Sequence, residues 1–285
     1  MLIIKSVSEL LSRVESLKSK GESIGLVPTM GALHEGHLSL VKKSKERDDV
    51  TIVSVFVNPI QFNNPQDLLT YPRTPEEDAQ QLAKENVDIL FMPTEEEMTA
   101  EAEVAAKTFR LGSVAEVMEG KFRPGHFQGV AYIVNRLFQL CRPTRAYFGM
   151  KDFQQIAVIR ELVRSEGLDV EIVACPIVRE ESGLALSSRN KRLSSKMAKE
   201  AAKIYETLKT SKEFAGSHTI AETRQNVIET LNAIDDFRVE YFDIVDGETL
   251  LPVEEWSEAK YVVGCITVYV SDVRLIDNIV YKGEI

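Results

Sequence analysis

Residues 50–57, VTIVSVFV, constrain the fold more than any other part of the chain. The run is almost wholly apolar and rich in β-branched side chains, so it leaves no polar face for water and reads as a strand covered on both sides. Strands of that kind belong to a parallel sheet packed between helices. Shorter apolar runs at residues 24–27, 87–92, 146–148 and 170–174 have the same texture. Helix-period segments separate them. Val7, Leu10, Leu11, Val14 and Leu17 recur at helical spacing with Gly21 as a stop, and a second helix is expected from about His37 to residue 46. Thr74-Pro75-Glu76-Glu77 reads as a helix start with Thr74 as cap, and further helices are expected at residues 132–140 and 153–163. The alternation predicts an α/β fold, a Rossmann-like parallel sheet with helices on both faces. Ligands in such a sheet sit beyond the carboxyl ends of the strands, where the strand order reverses.

The texture changes after about residue 183. A charged, alanine-rich segment at 195–214 reads as one long helix and 220–231 as another, followed by β-rich stretches at 238–245 and 261–270. The last of these is nearly continuous in β-formers, which suits either an interface element or a buried central strand. The expected organisation is a domain over residues 1–182 and a smaller α+β lid domain over 183–285, with the boundary near 181–186.

A formal charge of −10 and a pI of about 5.1 argue against nucleic acid as the main partner, because a phosphate backbone rewards a basic surface. Cys141, Cys175 and Cys265 stand far apart with no CxxC spacing, each among apolar residues, and read as reduced and buried. The first 21 residues lack the layout of a signal peptide, and no run approaches the roughly 18 apolar residues of a membrane span. A cytoplasmic, membrane-free protein is expected.

Two of only four histidines, His34 and His37, stand three apart just after a predicted strand, in HEGH. At a helix entry that spacing puts both rings on one face, beside unpaired N–H groups and a partial positive charge that suit phosphate and favour neutral imidazole. Gly31 and Gly36 allow close backbone approach. Donors so placed fit attack at an α-phosphorus, where charge develops on phosphate oxygens; alone, the pair reads more readily as surface or capping histidines with turn glycines. Later, Leu186-Ser187-Ser188-Arg189-Asn190 brings two hydroxyls and a guanidinium to the end of the last strand, a second phosphate-binding candidate or an ordinary cap. Gly149-Met150-Lys151-Asp152 follows another strand, with Lys151 as a point charge and Asp152 able either to accept from ribose hydroxyls or to orient the lysine.

HEGH resembles the HxGH signature of nucleotidyltransferases. VPTMGALHEGH, FVNPIQF, YPRT, RPGHFQGV, RAYFGMKDFQQ and LSSRN, in that order and spacing, resemble the blocks of one family, pantothenate synthetase, over nearly the whole chain. The resemblance implies an ATP-dependent condensation of pantoate with β-alanine through a pantoyl adenylate, with magnesium, in a homodimer. It implies an ATP site of Met30, Gly31, Ala32, Leu33, His34, Glu35, Gly36, His37, Gly149, Met150, Lys151, Asp152, Val178, Leu186, Ser187, Ser188 and Arg189. Val178 would offer backbone contacts to adenine. Gln61 and Gln155 would bind pantoate, Gln61 also β-alanine, and Glu77, Asp78 and Gln81 would lie near the metal. His37, His34 and Lys151 are the catalytic candidates, with His37 either donating a proton or only stabilising charge. His126 has a supporting or direct role, and His218 reads as surface. Leu186 stands where the family usually has methionine, and Asn63-Asn64-Pro65 where it usually has Gly-Pro; neither change removes a required polar group. The alternative is another HxGH adenylyl- or cytidylyltransferase, which would not need the FVNPIQF and FGMKDFQQ blocks.

Overall fold

A computed structural model describes residues 1–99 and 107–283. Its first half builds a six-stranded, all-parallel sheet from β1 (Leu2–Ile4), β2 (Ile24–Thr29), β3 (Val50–Val55), β4 (Ile89–Phe91), β5 (Arg145–Gly149) and β6 (Glu171–Cys175). The order is β1-β4-β3-β2-β5-β6. β3 lies inside the sheet, and its successive residues Ile52 and Val53, both fully buried, enter two different cores. One core joins Ile52 to Leu10, Leu137 and Phe148, the other joins Val53 to Leu38, Val41 and Tyr147. This is the two-sided burial expected of an uninterrupted apolar strand. From β2 the chain steps outward through β3 and β4, then returns to lay β5 on the other side of β2. The order therefore reverses between β2 and β5, and the loops after those strands face one crevice.

The longer helices are α1 (Val7–Ser19), α2 (Glu35–Arg47), α3 (Pro75–Lys84), α4 (His126–Cys141), α5 (Phe153–Glu166), α6 (Ser195–Ala201), α7 (Lys203–Phe214) and α8 (Ile220–Asn232). Three expectations change. Helix α4 begins at His126, six residues before the expected start, the chain entering it from Gly125 in a left-handed turn (φ +80°). Residues 195–214 form two helices, the ladder being interrupted at Ala202 although its backbone angles stay helical (φ −59°, ψ −26°). Thr74 makes no cap bond; its hydroxyl donates to Asp78 Oδ1 at 3.1 Å instead.

The second sheet is antiparallel, in the order β7 (Phe237–Asp246), β8 (Val262–Val270), β9 (Val273–Lys282). β8 is central and covered on both faces, so the buried-strand reading of residues 261–270 holds within the chain. Val262, Ile266, Val268 and Val270 pack with Leu208, Val227 and Leu231 of the helices. Val263 and Cys265 enter a separate cluster with Met118 and Phe153 of the first half. A buried ionic knot completes that junction. Glu119 accepts two bonds from Arg274 of β9 (2.7 and 2.8 Å), one from Tyr241 (2.8 Å) and one from Thr267 (3.1 Å). Burial alone would raise its pKa, but the bonds and charge of Arg274, aided by Arg123 and Tyr241, hold it down to about 2. All three cysteines are free and buried. No helix among the described residues is long and apolar enough to cross a membrane.

Candidate active site

The loop leaving β2 is shaped by a buried carboxylate. Gly31 (φ +80°) and Ala32 (φ +51°) both take left-handed backbone angles, which costs little for glycine and of the order of 1 kcal/mol for alanine. Asp78, on α3 and 1% exposed, accepts the N–H of Ala32 (2.9 Å) and of Leu33 (2.8 Å) and so fixes this turn. A Cβ at position 31 would lie 2.9 Å from the Asp78 carboxylate and 3.0 Å from Val55, so only glycine fits there. The chain then enters α2 with His34 as its N-cap.

The two histidines cap the helix reciprocally. Nδ1 of His34 accepts the N–H of Gly36 (3.2 Å), and Nδ1 of His37 accepts the N–H of His34 (3.3 Å). An Nδ1 that accepts carries no proton, so each neutral ring holds its proton on Nε2. The ring centroids are 4.0 Å apart with a 35° tilt. Burial, then the charge of Lys151, lowers the His34 pKa to about 4. Burial, then His34 and Lys151, puts His37 well below the ordinary imidazole range. Both rings are neutral N–H donors at pH 7.

Lys151 enters from the loop after β5, on a tight 3-10 turn Met150–Asp152, with its Nζ 3.5 Å from Asp152. A third loop follows β6. The Leu186 N–H donates to the Val178 carbonyl (3.0 Å), closing a hairpin, and the buried Ser188 hydroxyl donates to the Ala32 carbonyl (3.0 Å). That bond ties the LSSRN loop to the HEGH loop. Ser187 caps the following turn by accepting the Arg189 N–H, and the Arg189 guanidinium pairs with Asp67 at 2.7 Å.

The other end of the crevice centres on Gln61. Asn58 Nδ2 donates to Gln61 Oε1 (2.9 Å), which turns the Gln61 amide nitrogen toward Met30 Sδ (3.2 Å). The Gln61 carbonyl bonds with His126 Nδ1 (2.8 Å) and accepts from Arg123 (3.1 Å). Burial, then Arg123, lowers the His126 pKa to about 4. Phe56, Phe148 and the α4 residues Val130, Ile133, Val134 and Leu137 form an apolar wall beside these amides.

A family model described as Pantoate-beta-alanine ligase matches residues 2–280. The chain belongs to that family. A pantothenate synthetase of Bacteroides fragilis is 53% identical over 282 residues, 99% of each chain, and one of Christiangramia forsetii is 46% identical over 280 residues, 98% of this chain and 99% of that one. A crystal structure of pantothenate synthetase from Thermus thermophilus superposes with a TM-score of 0.92 at 43% identity, covering 99% of this chain and 100% of that one. A pantoate-beta-alanine ligase from Francisella tularensis, crystallised with beta-gamma ATP and beta-alanine, gives 0.80 at 37% identity and covers 100% and 99%.

Within this ligase fold one crevice gathers Met30, His34, Gly36, His37, Gln61, Gly149, Lys151, Asp152, Gln155, Val178, Leu186, Ser187, Ser188 and Arg189. Gly31, Ala32, Leu33, Glu35 and Met150 stand outside its lining. Ala32 and Leu33 are buried behind the loop, Met150 packs against the main core, and Glu35 is exposed, 3.7 Å from Lys42. The three metal candidates do not converge on the crevice. Asp78 spends its carboxylate on the loop, Glu77 is exposed and Gln81 half-buried, and none of them lines it. Residues that sequence reasoning did not single out are Asn58, Tyr71 and Arg123, although each lies inside a quoted block. His218 is half-buried and stacked on Phe214, with centroids 3.6 Å apart, and does not line the crevice.

Proposed function

We propose that this chain condenses pantoate with β-alanine at the expense of ATP, through a pantoyl adenylate, releasing pyrophosphate and AMP. The observation that carries the reading is the pair of neutral imidazoles, His34 and His37, lining one crevice with Lys151, next to a glutamine-lined apolar end. Pantoate is a branched hydroxy acid with two methyl groups on one carbon. The wall of Phe56, Val130, Ile133, Val134 and Leu137 suits the methyls, while Gln61 and Gln155 suit the hydroxyls and carboxylate. The triphosphate would lie along residues 30–37, Lys151 and the 186–189 loop, with Val178 beside adenine. The Francisella tularensis relative, crystallised with beta-gamma ATP and beta-alanine, supports both nucleotide and amine in this fold.

In the first step a pantoate carboxylate oxygen attacks the α-phosphorus and the bond to pyrophosphate breaks. Nucleophile and leaving group are both anions, so no proton has to move. The histidines then act as fixed Nε2–H donors to phosphate oxygens, and Lys151 adds a full positive charge. On this reading His37 stabilises charge rather than donating a proton. The neutral β-alanine amine next attacks the acyl carbonyl, the acyl–oxygen bond breaks, AMP leaves, and the proton lost from the nitrogen passes to the departing phosphate or to water. Burial of the crevice protects the mixed anhydride from water.

Magnesium, when bound, neutralises charge on the triphosphate. The residues present do not build a protein cage for it, since Asp78 is committed to the amides of Ala32 and Leu33. Among the described residues no three His, Cys, Asp or Glu side chains converge. The Glu119–Arg274 knot and the shared apolar cluster support a C-terminal unit that serves as a fixed wall, because lid motion would expose a buried ion pair. The test is ATP–pyrophosphate exchange. Pantoate should drive it with ATP, whereas CTP or amino acids should not; absence of pantoate-driven exchange would overturn the reading.

A further inference from the structure

Lys151 sits on a turn that has no lock of its own. The Met150–Asp152 turn has no capping side chain, and neither does the start of α5 that follows it. The carbonyls of Met150 and Lys151 are instead held by a residue from the far end of the chain. Asn278, on β9 and 4% exposed, donates from Nδ2 to the Met150 carbonyl at 2.8 Å and to the Lys151 carbonyl at 3.1 Å. A buried amide that spends both its N–H groups on two successive carbonyls fixes their direction, and with it the exit angle of the Lys151 side chain.

Asn278 is itself held from behind. Its backbone N–H donates to Asp277 Oδ1 (2.8 Å), and Asp277 grips Arg179 through two bonds of 2.6 and 2.9 Å. Arg179 also donates to the Gly183 carbonyl (3.2 Å) and lies 3.6 Å from the Tyr205 ring. It thus anchors the hairpin that carries the 186–189 loop. Two adjacent residues of β9 therefore reach both loops of the nucleotide end: Asn278 the Lys151 turn directly, Asp277 the LSSRN hairpin through Arg179. β9 has a separate anchor in the Arg274–Glu119 pair, so the strand keeps its place without the Asn278 amide.

We propose that Asn278 is a positioning residue for adenylation, acting through Lys151 by holding the Met150 and Lys151 carbonyls; this rests on the reading of Lys151 given above. The test is a double-mutant cycle on pantoate-driven ATP–pyrophosphate exchange in the full-length enzyme. Asn278→Ala should lower kcat about tenfold, with the pantoate KM within about twofold of wild type. In a Lys151→Ala background the same substitution should have no further effect, because the group it positions is gone. Asn278→Ser, which keeps one donor, should recover part of the loss. If Asn278→Ala does not fold, Asn278→Ser and Asn278→Asp carry the same cycle. An Asn278→Ala enzyme within twofold of wild type would overturn the proposal, as would an equal fall in both backgrounds. Exchange absent from the wild-type enzyme would instead overturn the adenylation reading, and this proposal with it.

Discussion

Gly129 lies inside α4, where glycine ordinarily costs about 1 kcal/mol of helix stability relative to alanine. The reason it is needed is close contact with the turn that carries Gln61, the residue proposed to bind pantoate. A Cβ there would stand 2.8 Å from both the carbonyl carbon and the oxygen of Ile60, and 2.9 Å from the Gln61 nitrogen. All three are backbone atoms and cannot rotate away. Ordinary contact begins at 3.4 Å, so Gly129→Ala requires the Pro59–Gln61 turn to retreat by about 0.6 Å, the difference between the two distances. Overpacking of this kind costs about 1–3 kcal/mol, offset by about 1 kcal/mol of helix propensity, so the variant should fold with a modest loss of stability. The larger effect is on alignment. Asn58 bridges the Gly129 carbonyl (3.1 Å) and Gln61 Oε1 (2.9 Å), so the shift disturbs the bond that aims the Gln61 amide. Misplacement approaching 1 Å can lower a rate by about 10²; half that displacement should lower kcat/KM for pantoate about tenfold. The assay is exchange against a pantoate series at saturating ATP, with the ATP KM as control, because the contacts of a Cβ at position 129 fall on the 59–61 turn rather than on the Lys151 or LSSRN loops. Pantoate kinetics within twofold of wild type would refute the packing argument.

His37→Ala and Lys151→Ala should each cut exchange by about 10² or more, the usual cost of removing a transition-state donor, with melting temperatures close to wild type; near-normal turnover would remove that residue from the catalytic set. Asp78→Ala strips the acceptor from two buried N–H groups and should cost about 3 kcal/mol in urea unfolding and raise the ATP KM. Unchanged stability would show that the loop holds its shape unaided. The lowered pKa of His34 and of His126, both about 4, means the unfolded chain binds more protons than the native one below pH 6.5. Stability should therefore be full above 6.5 and fall as pH drops toward 4, and exchange should lose activity nearer pH 4 than 6.5. An activity limb centred between pH 6 and 7 would point to a catalytic imidazolium.

The central strand β3 was legible because burial on both faces writes itself as an uninterrupted apolar run. HEGH was legible because a strand, a glycine turn and a helix start are local in sequence. What escaped is long-range or disguised. Asp78 reads as a carboxylate near the metal on a charged helix, and only the fold shows it plugged into the turn of Ala32 and Leu33. Glu119 meets Arg274 across 155 positions and Lys151 meets Asn278 across 127, which no local pattern records. β9 went unread because its connection, Ser271-Asp272, has no glycine although Ser271 takes a positive φ of 53°. The early start of α4 was hidden by Gly129, whose presence is a matter of packing rather than of turn formation.

In the proposed reaction, pantoate is activated by attack of its carboxylate on the α-phosphorus. Carboxyl-¹⁸O-labelled pantoate, incubated with ATP, β-alanine and the enzyme, tests it most directly through the mass of the released AMP. One ¹⁸O atom should pass to AMP per turnover and none to pyrophosphate. Label appearing in pyrophosphate or orthophosphate, with unlabelled AMP, would contradict it.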